Sequence, residues 1–254
     1  MFQLSVFGGL SLAEDGARLE AASEHRKAML LLAILATAGK KGVPREKLLA
    51  LLWGDSEERR ARGALKQMLH TLRRRLGTPS VILGVAQPRL NPAIISSDLS
   101  RFLDALGRGD LRAAVSEYAG AFLDGVHLGG TSELEHWVDS KRGRFQAEYM
   151  EAMENLARRA ATSEDRLEAL HWWQSLRDAD PLNGRIRVGL MHALARAGDR
   201  PGALREARLH SELLWKELEA EPDPEVTSLR DELQRCRPHE VQPASESQIS
   251  SSSR

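Results

Sequence analysis

Apolar and polar residues alternate at the start of the chain. Phe2, Leu4 and Val6 are separated by Gln3 and Ser5, and Leu10, Leu12, Ala17 and Leu19 follow around Gly8-Gly9 and Asp15-Gly16. A period of two broken by such pairs predicts short antiparallel strands joined by tight turns. The period then becomes helical. From Ser23 to Ala38, Ser23 is the expected N-cap, Leu30, Leu31, Ile34 and Leu35 stand at core spacing, and Gly39 is the stop. A second helix is expected from Val43-Pro44 to Trp53-Gly54, with Leu48, Leu49 and Leu52 as its buried stripe. A third, capped by Asp55 or Ser56 and carrying Glu57 and Glu58 in its first turn, runs to Leu76-Gly77. Leu65, Met68 or Leu69, Leu72 and Leu76 mark its core face, which leaves Arg62, Lys66, Gln67, His70, Arg73 and Arg74 on the others.

Val81 to Gly84, a turn through Ala86-Gln87-Pro88, and Leu90 to Ile95 read as a second hairpin with Arg89 near its tip. Strands, three helices and then a hairpin make a winged helix-turn-helix, placed at residues 1–97. Residues 98 to 236 read as almost entirely helical, in short pairs. Asp98, Asp110, Ser132 and Ser163 are the expected N-caps, and Ser132 with Glu135 fits a capping box. Arg166-Leu-Glu-Ala-Leu170 returns as Arg200-Pro-Gly-Ala-Leu204 at a spacing of 34, the period of a tetratricopeptide repeat. Ala169 and Pro181 match the small residue and closing proline of that repeat, and Ala195 to Asp199 supply a turn. The second copy departs, its closing helix running to about Ala220 before Pro222. The fold class is therefore mainly α with small β sheets: a winged helix-turn-helix domain followed by an α-helical tetratricopeptide-like repeat domain over 98–237. Residues 238–254, rich in Pro, Glu, Gln and Ser, are expected to be a disordered tail.

The formal net charge of zero is a cancellation. Residues 1 to 100 hold 15 Lys+Arg against 9 Asp+Glu, and the rest hold 21 against 27. Residues 23 to 77 alone hold 13 basic and 5 acidic side chains. A field of one sign on one domain attracts a polyanion, so the basic half is the candidate DNA binder. Lys40 and Lys41, between the first two helices, are placed near the nucleic-acid backbone at best.

Other classes are excluded or disfavoured. The longest apolar run, Ala28 to Ala38, has 11 residues, short of the roughly 20 that cross a bilayer, so no membrane segment is expected. The single cysteine, Cys236, makes no internal disulfide and suits a reducing cytoplasm. The histidines show no metal-ligand spacing, and no nucleophile elbow or phosphate-binding loop is present. Neither catalytic residue, metal nor cofactor is expected. Trp172-Trp173 reads as packing between repeat helices.

Leu48 to Asp55 (LLALLWGD) and Ala61 to Gly77 (ARGALKQMLHTLRRRLG) resemble the OmpR-type winged helix of the SARP-type bacterial transcriptional activators. DLSRF at 98 to 102, AFLDG at 121 to 125 and the repeats to about residue 236 resemble the bacterial transcriptional activator domain of that family. The resemblance implies a regulator that binds promoter direct repeats in double-stranded DNA as a homodimer and helps recruit RNA polymerase. Its third helix would lie in the major groove and its wing, about residues 82 to 95, near the minor groove. Arg62, Lys66, Gln67, His70, Thr71, Arg73 and Arg74 would then face DNA, and Arg59 and Arg89 complete the expected contact set. Gly63, Lys66 and His70 stand where the family more often shows other polar residues, so the preferred sequence does not carry over. The protein is expected in the cytoplasm, on the nucleoid, and no receiver domain is expected before residue 2. The alternative is an adaptor whose winged helix contacts protein, which would need no basic face on the third helix.

Overall fold

The computed structural model describes residues 1–19, 26–127 and 131–235. Ser23, Cys236 and the 238–254 tail lie outside the described residues. The chain divides into two compact units, one of residues 1–159 and one beginning at Ala160.

The first unit opens with β1 (Phe2–Ser5), β2 (Ser11–Glu14) and β3 (Ala17–Leu19) as an antiparallel meander, turned at Gly8-Gly9 and Asp15-Gly16. Then come α1 (Arg26–Ala38), α2 (Arg45–Trp53), α3 (Glu58–Arg75), β4 (Ile82–Leu83), β5 (Arg89–Leu90) and β6 (Ile95–Ser97). Every residue of α1 from Met29 to Ala36 is buried, as expected of a helix apolar on all sides. On α2 the buried stripe is Leu48, Leu51, Leu52 and Trp53, whereas Leu49 is only half-buried.

Two expectations for this region are corrected. Glu57, not Asp55 or Ser56, is the N-cap of α3, without a side-chain bond. The Ser56 amide donates to the Trp53 carbonyl at 2.9 Å, so those two residues finish the turn that leaves α2. The second hairpin is also shorter than expected: only Ile82–Leu83 and Arg89–Leu90 pair, and Arg89 lies opposite Leu83 within the ladder. The Ile94 and Ile95 amides both donate to the Asn91 carbonyl, turning the chain away. Residues 95–97 then join the first sheet parallel to β1, giving the order β3-β2-β1-β6.

Helices α4 (Asp98–Arg108), α5 (Leu111–Glu117) and α6 (Ser132–Thr162), the last as far as Arg159, complete the unit. The expected boundary at 97/98 thus falls inside it. Asp110 caps α5, accepting from the Ala113 amide. The other caps shift by one or two residues. Ser97 caps α4 through a capping box with Ser100. Asp98, one position later, is buried and accepts instead from the Val6, Phe7 and Leu99 amides at 2.7–3.0 Å. Thr131, rather than Ser132, accepts from the Leu134 amide at the head of α6. At 31 residues, α6 also departs from the expected short pairs. The AFLDG segment is bound on both sides: Gly8 donates to Ala121, Leu123 donates to Val6, and the Arg142 guanidinium reaches the Phe122 and Leu123 carbonyls at 2.9 and 2.8 Å. Phe7, Phe102, Phe122 and Phe145 meet edge to face in the same core. The two segments that carry the family resemblance in this region are therefore structural, joining β1 to the helices.

The second unit holds α7 (Arg166–Ala179), α8 (Gly184–Arg196), α9 (Arg200–Leu218) and α10 (Pro224–Arg235), with successive helices packed on one another. The 34-residue echo is repeated in the backbone. Asp165 caps α7 through the Glu168 amide, where Ser163 was expected, and Asp199 caps α9 through the Gly202 amide. The residue before each cap, Glu164 and Gly198, turns at positive φ. Trp173 is buried and Trp172 half-buried, its indole donating to Glu168 at 2.9 Å.

Candidate nucleic-acid interface

Helix α3 is built two-sided. Ala61, Leu65, Leu69 and Leu72, with Leu76 beyond the last turn, are buried at helical spacing and fix the helix against the core. The opposite surface is set by that registration, because residues three and four apart share a face. Arg59, Gly63, Lys66, Gln67, His70 and Arg74 follow at i, i+4, i+7, i+8, i+11 and i+15, and all six are exposed. One helix face therefore presents three fixed cations, a titratable ring and an amide to solvent. Arg or Lys there can neutralise phosphates, and Arg, Gln or Lys can pair with base edges of the major groove.

The remaining expected contacts are placed differently. Arg62 is exposed at the margin of the face, and its guanidinium donates to Glu58 one turn back at 2.5 Å. Such an exposed pair is weak and leaves Arg62 able to exchange Glu58 for a phosphate. Thr71 is half-buried, one turn after Gln67 at the margin of the row. Arg73 is half-buried and committed to the hairpin, donating from Nη2 to the Ile82 carbonyl of β4 at 3.1 Å. Arg89 is half-buried in β5.

The hairpin is held from a second direction. Arg45, in the first turn of α2, donates from Nε to the Val85 carbonyl at 2.6 Å, and Val85, in the hairpin turn, is itself 79% exposed. The Val43 amide donates to the Pro88 carbonyl. Gly42, at φ +72°, is pressed so closely on the hairpin that a Cβ would stand 2.7 Å from the Gln87 carbonyl oxygen. Lys40 and Lys41, exposed in the short 3-10 turn Gly39–Lys41, thus lie on a segment bonded to the hairpin. Arg45 was not singled out from the sequence; its only signal there was a cation directly after Pro44. Arg75, exposed at the end of α3, was passed over in the same way.

Among the described residues, no three His, Cys, Asp or Glu side chains gather as metal ligands. No helix of the described residues is long and apolar enough to cross a membrane.

Residues 104–234 match the bacterial transcriptional activator domain, about half of the chain. No curated protein matches the chain. A solved structure of Mycobacterium tuberculosis EmbR in complex with a low-affinity phosphopeptide is similar, with a TM-score of 0.69 and 21% sequence identity over 93% of this chain. The chain spans 66% of that structure's length, and at this identity the likeness is one of fold.

Proposed function

The chain belongs to the bacterial transcriptional activator domain family, and from that premise we propose that it is a sequence-specific double-stranded DNA-binding regulator that activates transcription from promoter direct repeats. The observation that carries this reading is the row of exposed Arg59, Lys66, Gln67, His70 and Arg74 on the solvent face of α3. In it α3 enters the major groove, while the hairpin of β4 and β5 meets the backbone or the minor groove. Lys40, Lys41 and Arg45 extend the basic surface beside the hairpin. Two copies occupy adjacent repeats and contact RNA polymerase, and the protein acts on the nucleoid in the cytoplasm. It does so without an enzymatic step or a cofactor, and the helical repeats serve dimerisation or partner contacts through the surface that stacked helix pairs provide.

The test is to recover duplexes from a random-sequence DNA pool with the full chain, at low and at moderate salt, and to footprint the recovered DNA. Two direct repeats about one or two helical turns apart, still bound at moderate salt, are expected. Recovery of no common sequence, with all binding lost at moderate salt, would overturn the reading in favour of an adaptor.

A further inference from the structure

Gly63 stands in the middle of the basic row on α3, one turn after Arg59 and just before Lys66 and Gln67. Its φ is not positive, so the backbone there is one that any residue adopts. A Cβ built on it meets nothing within 4 Å. Neither conformation nor packing within the chain calls for glycine, and apart from proline it is the residue least suited to a helix interior. Other glycines have internal reasons: a Cβ on Gly42 would meet the Gln87 carbonyl, and one on Gly189 would meet the Trp173 ring.

We infer that Gly63 is the point of closest approach between α3 and DNA, its missing side chain letting the helix backbone seat against base edges in the major groove between the side chains of Arg59 and Lys66. This rests on the DNA-binding reading and deepens it. A methyl group at position 63 would hold α3 away from the groove and lengthen every contact made by its neighbours, while improving the helix itself. Stability and binding should therefore move in opposite directions. Gly143, in α6, is also exposed with open space around it, but lies outside this row and serves as the internal control.

The experiment measures melting temperature, and affinity for a duplex recovered by the wild-type chain from the random pool, for Gly63→Ala, Gly63→Gln, Gly143→Ala and Arg74→Ala. Gly63→Ala is expected to melt about 2–4 °C higher yet bind more weakly, and Gly63→Gln to lose about tenfold or more in affinity. Gly143→Ala should melt higher and bind as the wild type does. If both Gly63 variants bind like the wild type while Arg74→Ala weakens binding, the inference is overturned and the DNA-binding reading stands. If Gly63→Ala melts lower, the glycine serves the fold, and the inference again fails. Equal losses at Gly63 and Gly143 would show a general helix effect and overturn it. If the wild type retains no DNA from the pool, reading and inference fall together.

Discussion

Arg73 donates from its guanidinium to the Ile82 carbonyl at 3.1 Å, so the last turn of α3 holds the first strand of the hairpin that follows it. Its neighbour Arg74 is exposed and makes no such bond among the described residues. The two adjacent cations therefore have different work. Arg74→Ala should lower the slope of log affinity against log salt by about one, the loss of one phosphate contact. Arg73→Ala should leave that slope nearly unchanged and weaken binding by loosening the hairpin. The salt dependence of binding for the two variants separates these effects, and equal slope changes would place Arg73 at the phosphates as well.

Asp98 is a second bond between distant parts of the first unit. Removing its carboxylate in Asp98→Ala would leave the buried Val6, Phe7 and Leu99 amides without an acceptor. A loss of about 3–5 kcal/mol is expected, because unsatisfied buried donors keep their full desolvation penalty. Urea unfolding of the full chain measures it, and a loss below about 1 kcal/mol would mean that the strand finds other acceptors.

Gly189 lies under the Trp173 ring, whose nearest atoms would stand 2.4 Å from an added Cβ. Trp173 is buried in a close-packed interior, so the ring has little room to retreat. Gly189→Ala is expected to destabilise the second unit by about 1–3 kcal/mol. The measurement is calorimetric unfolding, and an unchanged transition would show that α7 and α8 slide apart at no cost.

His210 is fully buried, with neither ring nitrogen in hydrogen-bond geometry among the described residues. Burial, and then the Arg187 guanidinium, push its pKa below the ordinary 6.5, outweighing the Pro181 backbone and Asp223, which favour the charged ring. The folded state thus binds fewer protons than the unfolded one. Its stabilisation is fully present above pH 6.5 and is lost as pH falls below 6.5 through the depressed folded value. Denaturant midpoints at descending pH should fall more steeply for the wild type than for His210→Leu. Parallel curves would show that His210 takes up its proton in the folded state as readily as in the unfolded chain.

The face of α3 was legible because one physical rule sets both of its sides: the period of the buried leucines fixes where the intervening cations point. The order of strands and helices was equally legible, as was the 34-residue repeat, since these are local choices of period and turn. Exact caps were less so. Asp98 and Ser97 are equally able to cap, and only the Val6 and Phe7 amides, more than ninety residues away in sequence, claim the aspartate.

The sequence by itself determined the element types, the basic half of the chain and most of the exposed face of α3, with Thr71 and Arg73 the exceptions, because periodicity and charge are properties of neighbouring residues. Only the tertiary structure decided that 95–97 leave the hairpin to pair with β1, that DLSRF and AFLDG brace the N-terminal strand, and that Arg73 and Arg45 hold the hairpin. Each of these depends on a carbonyl, amide or carboxylate brought from a remote stretch of chain, and such partners leave no trace in local pattern.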